Sequence, residues 1–178
     1  MLKFTVHNLD TAPEQAASLL KDSQASFGMI PNLHGVMAEA PTVLDAYKKL
    51  HELALATSFN NEEKTVIWQT INIEHQCHYC VPAHSAIARA MKVSEQIDNA
   101  LREKADLPSS KLNALRSFTL AVIRNRGKVE KEISDFIHAG YNNQHALEVI
   151  LFVSQKVMSN YINHFANTPV DEAFKAFE

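Results

Sequence analysis

Apolar residues recur at three- and four-residue intervals along almost the whole chain, and only four glycines interrupt it. That spacing lays apolar side chains along one face of an α-helix. A half-buried strand would need strict alternation, and no stretch alternates convincingly. The pattern predicts an all-α protein. At 178 residues and 19.9 kDa, with 46% hydrophobic residues, the chain is large enough for one domain with a substantial apolar core. No linker, low-complexity tract or tandem repeat divides it, so residues 1–178 are expected to form a single helical domain.

Local signals place the helix ends. Thr11-Ala12-Pro13-Glu14 reads as a capping box with proline in the first turn, opening a helix to about residue 26, and the Phe27 to Asn32 segment breaks it. A short helix follows over 33–38. A longer one over 41–56 would set Val43, Leu44, Tyr47, Leu50, Leu53 and Ala54 along one face. Asn60 or Asn61 caps a helix over 62–76, Ser94 one over 94–104, and Pro108 with Ser109 a long one to residue 126. Gly127 and Gly140 stand where helices should close through a left-handed residue. Asn142 or Asn143 precedes a long helix over 146–165, and Pro169 is expected to start a terminal one.

The net charge of -3 and a pI near 6.3 give no broad positive field, and basic residues are interleaved with acids, so nucleic acid is not an expected partner. The segment from Met1 to His7 lacks the long apolar run of a signal peptide, and no uncharged apolar run approaches the ~20 residues that cross a bilayer. A cytoplasmic protein without a membrane partner is the expectation. In that reducing compartment a close cysteine pair is more often catalytic or metal-binding than structural.

Both cysteines lie in Cys77-His78-Tyr79-Cys80-Val81-Pro82-Ala83-His84. Pro82 has no N–H, which suits a helix opening between about residues 77 and 81, where the first amides lack partners anyway. The positive end of the helix dipole favours thiolate over thiol, and a fall of two pKa units would be worth ~2.7 kcal/mol to the anion. If the helix runs through the whole segment, Cys77, Cys80 and His84 share one stripe. Cys80 then has the shorter route to the imidazole, directly or through one water, and is assigned as the nucleophile. Its thiolate would open the O–O bond of a hydroperoxide to give an alcohol and a sulfenic acid, and Cys77 would condense with that acid. An outside dithiol must reopen the disulfide, and no bound cofactor is required.

Two other readings stand beside this one. Cys77 and Cys80 could form half of a zinc site with His84 and either His75 or His78, though structural zinc usually brings a second cysteine knuckle and none is present. Haem attachment needs histidine directly after the second cysteine, where Val81 stands.

The run from Asn72 to His84 resembles the C-x-Y-C-x-x-x-H signature of the alkylhydroperoxidase AhpD-like branch of the carboxymuconolactone decarboxylase family. Phe27-Gly28-Met29-Ile30-Pro31-Asn32-Leu33 is similar to its early FG-x-(V/I)-PN segment, and Lys111-Leu112-Asn113-Ala114-Leu115-Arg116-Ser117-Phe118-Thr119 to the helix after its redox helix. The likeness spans roughly residues 25–170. It implies an AhpD-like helical bundle and hydroperoxide reduction by a thiol pair, an antioxidant role. It also implies homo-oligomers, trimers or hexamers, built through helical faces. By the same resemblance Cys77 is the resolving thiol, Cys80 the attacking thiol and His84 the proton relay. The family's relay glutamate falls at Thr65, with Glu63 and Glu74 as the nearest acids. The family name also brings a thiol-independent lactone decarboxylase, a class that gives no reason for two close thiols. A zinc-stabilised or redox-sensing module without catalysis is the third class.

Several neighbours were weighed. Glu74 and His75 could tune the thiols or form a solvated helix end. Tyr79 could serve the peroxide or pack the base of the loop. Asn160, Asn163 and His164 make a polar stripe on an apolar helix, for which structural hydrogen bonding is preferred over catalysis, with a place in the thiol pocket or a subunit contact as the alternative.

Overall fold

A computed structural model describes residues 3–178; Met1 and Leu2, the start of the segment read above for a leader, lie outside the described residues. Among the described residues nine α-helices follow one another: α1 Glu14–Phe27, α2 Asn32–Met37, α3 Pro41–Leu55, α4 Asn61–Glu74, α5 Cys80–Ala90, α6 Glu95–Arg102, α7 Ser110–Arg124, α8 Lys131–His138 and α9 Asn143–Ala166. A 3₁₀ turn, Glu172–Phe177, completes the described chain. Among the described residues there is no strand, and no helix is long and apolar enough to cross a membrane.

The caps explain most of these boundaries. Asn60 accepts the Glu63 amide at 2.9 Å while Glu63 returns a carboxylate oxygen to the Asn60 amide at 3.0 Å, a complete capping box on α4. Asn142 and His145 close the same kind of box on α9, and Ser94 and Ser109 cap α6 and α7. Gly127 and Gly140 take φ of 81° and 97°, the left-handed values expected where α7 and α8 close. Gly35 has a different purpose. A Cβ there would sit 2.7 Å from the His7 carbonyl, because the N-terminal arm lies directly on α2 and His7 N–H bonds Gly35 O at 3.1 Å.

Three expectations are corrected. The box at Thr11 does not form: Thr11 closes a turn on Asn8 instead, Pro13 stands at the helix entrance, and Glu14 falls on the first helical position, too early to reach back to a cap. The segment after Pro169 makes a 3₁₀ turn, since six residues barely repay the cost of nucleating an α-helix. Leu53, assigned to the buried face of α3, is 54% exposed, while Leu44, Tyr47 and Ala54 are buried as that face requires.

α4 is the axle of the bundle, buried along all but its ends and packed by α5, α6, α7 and α9. One side of it belongs to the larger core, where Trp68, Ile67 and Ile71 meet Leu115, Phe118, Phe136 and Phe152. A second, smaller core joins α1, α2 and α3 to Cys77, Tyr79, Cys80 and Ala83. The thiols thus sit inside the protein, at the seam between these layers and α9.

Candidate active site

α4 ends at Glu74, and Gln76 takes φ of 52° to turn the chain back so that the Cys77 amide bonds Asn72 O at 2.9 Å. α5 starts only at Cys80. Cys77 therefore precedes the helix, and the continuous helical stripe expected for Cys77, Cys80 and His84 is replaced by a turn that folds Cys77 over the first turn of α5. Its sulfur accepts the Cys80 N–H at 3.3 Å, taking one of the amides that a helix start leaves free. Both cysteines are free thiols, 0% and 1% exposed.

α9 supplies the wall facing them. Asn163 Nδ2 lies 3.2 Å from Cys80 Sγ and 3.9 Å from Cys77 Sγ, and Ser159 Oγ is 4.0 Å from Cys80 Sγ. One turn before Ser159 in α9, Lys156 Nζ meets His84 Nε2 at 2.9 Å. Behind the sulfurs runs a chain of side-chain amides: Asn160 Nδ2 donates to Asn72 Oδ1 at 3.1 Å, Asn72 Nδ2 to Gln69 Oε1 at 3.1 Å and Gln69 Nε2 to Asp98 at 2.8 Å. Asn72 also reaches the Cys80 carbonyl, so α4 pins the start of α5 as well as supporting Asn160. Tyr47 of α3 closes the pocket with its hydroxyl against Gln155 and Ser159.

These contacts split the two thiols. Burial resists ionisation of Cys80, but the Cys77 hydrogen bond, the Lys156 charge and the Asn163 and Ser159 donors outweigh it and bring the thiol down to about 6. Cys77 moves the opposite way, pushed well above the ordinary range by its hydrogen bond to Cys80, by burial and by the neighbouring negative charge. A lowered value falls on Cys80 alone, and its causes are these neighbouring donors and the Lys156 charge. The contacts thus favour the anion at Cys80 and the neutral thiol at Cys77.

His84 is placed differently from the sequence expectation. It is 5% exposed on the first turns of α5, and instead of a hydrogen bond to Cys80 its Nε2 is taken by Lys156. Burial first, and then the Lys156 and His51 charges, hold its imidazole well below the usual range, so it is neutral near pH 7. Its Nδ1 is buried without a partner. Of the two substitute acids, Glu63 is committed to its capping box, to Tyr141 at 3.0 Å and to Lys111 at 3.0 Å, and Glu74 pairs with Arg124 through two 2.7 Å contacts. Neither joins the thiols. Thr65, at the family's relay position, bonds the Asn61 carbonyl within its own helix.

The remaining candidates are structural. Tyr79 gives its hydroxyl to Asp171 and accepts the Leu33 amide at 3.3 Å, and His78 Nε2 bonds the Thr168 carbonyl at 2.9 Å. Both residues between the cysteines are thus clamped by the C-terminal segment, which Asp171 also ties to the Asn32 amide at 3.1 Å. Replacing Asp171 with alanine should free this clamp. Charged hydrogen bonds of this kind are worth about 1.5–3 kcal/mol, so alkylation of the buried thiols by a small reagent under native conditions should quicken roughly tenfold to a hundredfold. An unchanged rate would show that the clamp does not govern access. His164 is exposed and bonds the His75 carbonyl at 2.8 Å, outside the pocket. The half zinc site does not assemble either: His84 and His78 have their Nε2 atoms on other partners, and no group of three His, Cys, Asp or Glu among the described residues is arranged to hold a metal.

Sequence reasoning passed over Lys156 and Ser159, and named Asn163 only as part of a polar stripe. The missed signal was the spacing of Lys156, Ser159, Asn160 and Asn163 at i, i+3, i+4 and i+7, which puts a charge and three short polar groups on the inward face of an apolar helix.

No protein-family model matches the chain, and no curated protein matches it by sequence. Solved structures do match. An uncharacterized peroxidase-related protein from Ralstonia eutropha JMP134, described as an alkylhydroperoxidase AhpD core, superposes with a TM-score of 0.83 at 21% identity, covering 97% of this chain and 93% of that one. This is the AhpD-core fold. A peroxidase-related protein from Silicibacter sp. TM1040 gives 0.79 at 19% identity over 97% and 95% of the two chains. The debrominase Bmp8 gives 0.81 at 19% over 99% and 96%; Bmp8 is also known in complex with 2,3,4-tribromopyrrole. The all-helical bundle that the sequence predicts is therefore the AhpD-core arrangement, with the dithiol turn at the start of its fifth helix.

Proposed function

We propose that the protein is a thiol-dependent peroxidase in which Cys80 attacks and Cys77 resolves. The observation that carries this reading is the asymmetry of the pair: one buried thiol favoured as an anion, the other held neutral within hydrogen-bond reach of it, and Asn163 Nδ2 touching both sulfurs. An ionised Cys80 attacks the outer oxygen of a hydroperoxide. The S–O bond forms, the O–O bond breaks, and the alkoxide leaves and takes a proton. Cys77 then displaces hydroxide from the sulfenic acid, with its own S–H proton completing the water. An external dithiol reopens the disulfide. Because both sulfurs are shut away, the alkoxide's proton must come from inside the pocket, and the Lys156–His84 contact is the group placed to supply it, so the relay histidine acts at one remove.

The sign of the pH dependence follows from the lowered Cys80 value. The reactive form is the anion, so peroxide-dependent thiol loss should be flat from about one unit above the midpoint near 6 and fall roughly tenfold per unit below it. Stopped-flow rates against pH check this; a midpoint near the ordinary thiol value of ~8.5 would contradict it. The reading itself is tested by titrating free thiols after peroxide: two should disappear with formation of a Cys77–Cys80 disulfide, and no loss would refute it.

The likeness to a debrominase supports a second reading, in which the Cys80 thiolate takes a halogen as halonium from an activated haloaromatic ring, the ring carbon takes a proton in its place, and Cys77 closes the disulfide on the sulfenyl halide with release of halide and its own proton. Halide release from a bromopyrrole without thiol loss to peroxide would favour it. The outward face of α9, where Leu147, Ile150, Tyr161 and Phe165 are exposed, supports the oligomer through helical faces that the resemblance implies.

A further inference from the structure

Lys156 is 0% exposed, and among the described residues the one hydrogen-bond partner of its ammonium is the neutral His84 and no carboxylate forms an ion pair with it. An ammonium shut in a protein interior is costly unless an anion faces it. The titratable groups around it and around Cys80 are His84 and Cys80 on α5, Cys77 before α5, His51 and Tyr47 on α3 and His75 at the end of α4. Of these only Cys80 is favoured as an anion near neutrality. The geometry agrees. Lys156, Ser159 and Asn163 share one face of α9, and the latter two reach Cys80 while Lys156 reaches His84, one turn beyond Cys80 on α5.

From this arrangement we infer that Lys156 is the fixed counter-charge of the Cys80 thiolate and the proton source for the departing alkoxide, and that His84 is the residue that positions it. His84 Nε2 accepts from the ammonium, which leaves the imidazole proton on Nδ1 and holds Lys156 to one side of α5. The proton step rests on the peroxidase reading; the counter-charge does not. In the reduced pocket a thiolate and an ammonium cancel. As Cys80 becomes a sulfenic acid its negative charge passes to the alkoxide, and the ammonium, now without its anion, hands that alkoxide a proton. Reduction of the disulfide by an external dithiol returns the thiolate and, from solvent, the proton on Lys156.

The test needs no peroxide. The pH midpoint for alkylation of reduced protein by iodoacetamide should lie near 6 in the wild type and move towards ~8.5 in Lys156→Met, lowering the rate at pH 7 by up to about thirtyfold. His84→Gln, whose amide oxygen can still accept from the ammonium, should keep its midpoint within about one unit of the wild type. A folded Lys156→Met with an unmoved midpoint overturns the inference, as does a His84→Gln shift equal to that of Lys156→Met. If Lys156→Met does not fold, nitrogen-15 lysine spectra of the wild type decide: one side-chain nitrogen resonance should move as the Cys80 thiolate forms, with the midpoint of the alkylation profile, and the absence of any resonance that follows that midpoint overturns it. A protein that passes these tests but loses no thiols to peroxide would sink the peroxidase reading and leave the counter-charge standing.

Discussion

Cys80→Ser is expected to abolish peroxide reduction, while Cys77→Ser is expected to consume one peroxide and stop. A serine hydroxyl at position 80 is not ionised by the same surroundings, and Cys77 cannot take over the attack. Part of what keeps Cys77 neutral is its hydrogen bond to Cys80 and the charge there, which the substitution removes, but burial remains and continues to hold it as the thiol. Cys77→Ser has the opposite consequence. Cys80 loses one of the groups that favour its anion, yet Lys156, Asn163 and Ser159 are still in place, so attack continues and the product is a sulfenic acid with no partner. Thiol titration with trapping of the sulfenic acid by dimedone reads all three proteins: two thiols lost in the wild type, one lost and trapped in Cys77→Ser, none lost in Cys80→Ser. Peroxide turnover surviving in Cys80→Ser would refute the assignment of the nucleophile.

The parts of this site that were legible in the sequence are those set by local contacts. Asn60, Ser94, Ser109 and Asn142 cap helices through partners two or three residues away, so their spacing alone locates α4, α6, α7 and α9. The dithiol turn is local too, and it places Cys77 against the start of α5. What surrounds the sulfurs is not local. Asn163 reaches Cys80 across 83 residues of chain and Lys156 reaches His84 across 72, so the sequence could mark α9 as an apolar helix with an odd polar stripe but could not say which residues it would face. The Lys156 partner of His84 was hidden for the same reason. Four residues after Cys80, His84 shares a helix face with the sulfur, and only the packing of α9 against α5 decides that its nitrogen turns to a lysine instead. Glu63 shows the converse: it stood two residues from the relay position at Thr65 as one of the nearest acids, whereas its place three residues after Asn60 had already committed it to a cap.

Trp68→Ala should give the largest loss of stability and carry it into the thiol pocket. The indole is 1% exposed in the larger core, with its ring centroid 5.2 Å from that of Phe152, 5.7 Å from His51 and 5.1 Å from His84. Emptying such a site costs about 3–5 kcal/mol, against a total stability on the order of 5–15 kcal/mol, and should lower Tm by roughly 6–20 °C for a chain of this size. The indole N–H also donates to Gln155 Oε1 at 2.8 Å, and Gln155 Nε2 in turn bonds His51 Nδ1 at 2.9 Å, so the substitution leaves a buried amide oxygen unpaired on the residue next to Lys156. Trp68→Phe separates the two effects. It keeps much of the ring volume and loses the N–H, so its cost should be nearer the ~1–3 kcal/mol of an unpaired buried acceptor, with a raised alkylation midpoint for Cys80 as α9 loosens its hold on Lys156. Thermal unfolding and the iodoacetamide pH profile measure both. If Trp68→Phe lowers Tm but leaves the midpoint near 6, Gln155 serves the core alone. If the midpoint moves with it, the hydrogen bond that closes the core is also what keeps the lysine in register with the sulfur.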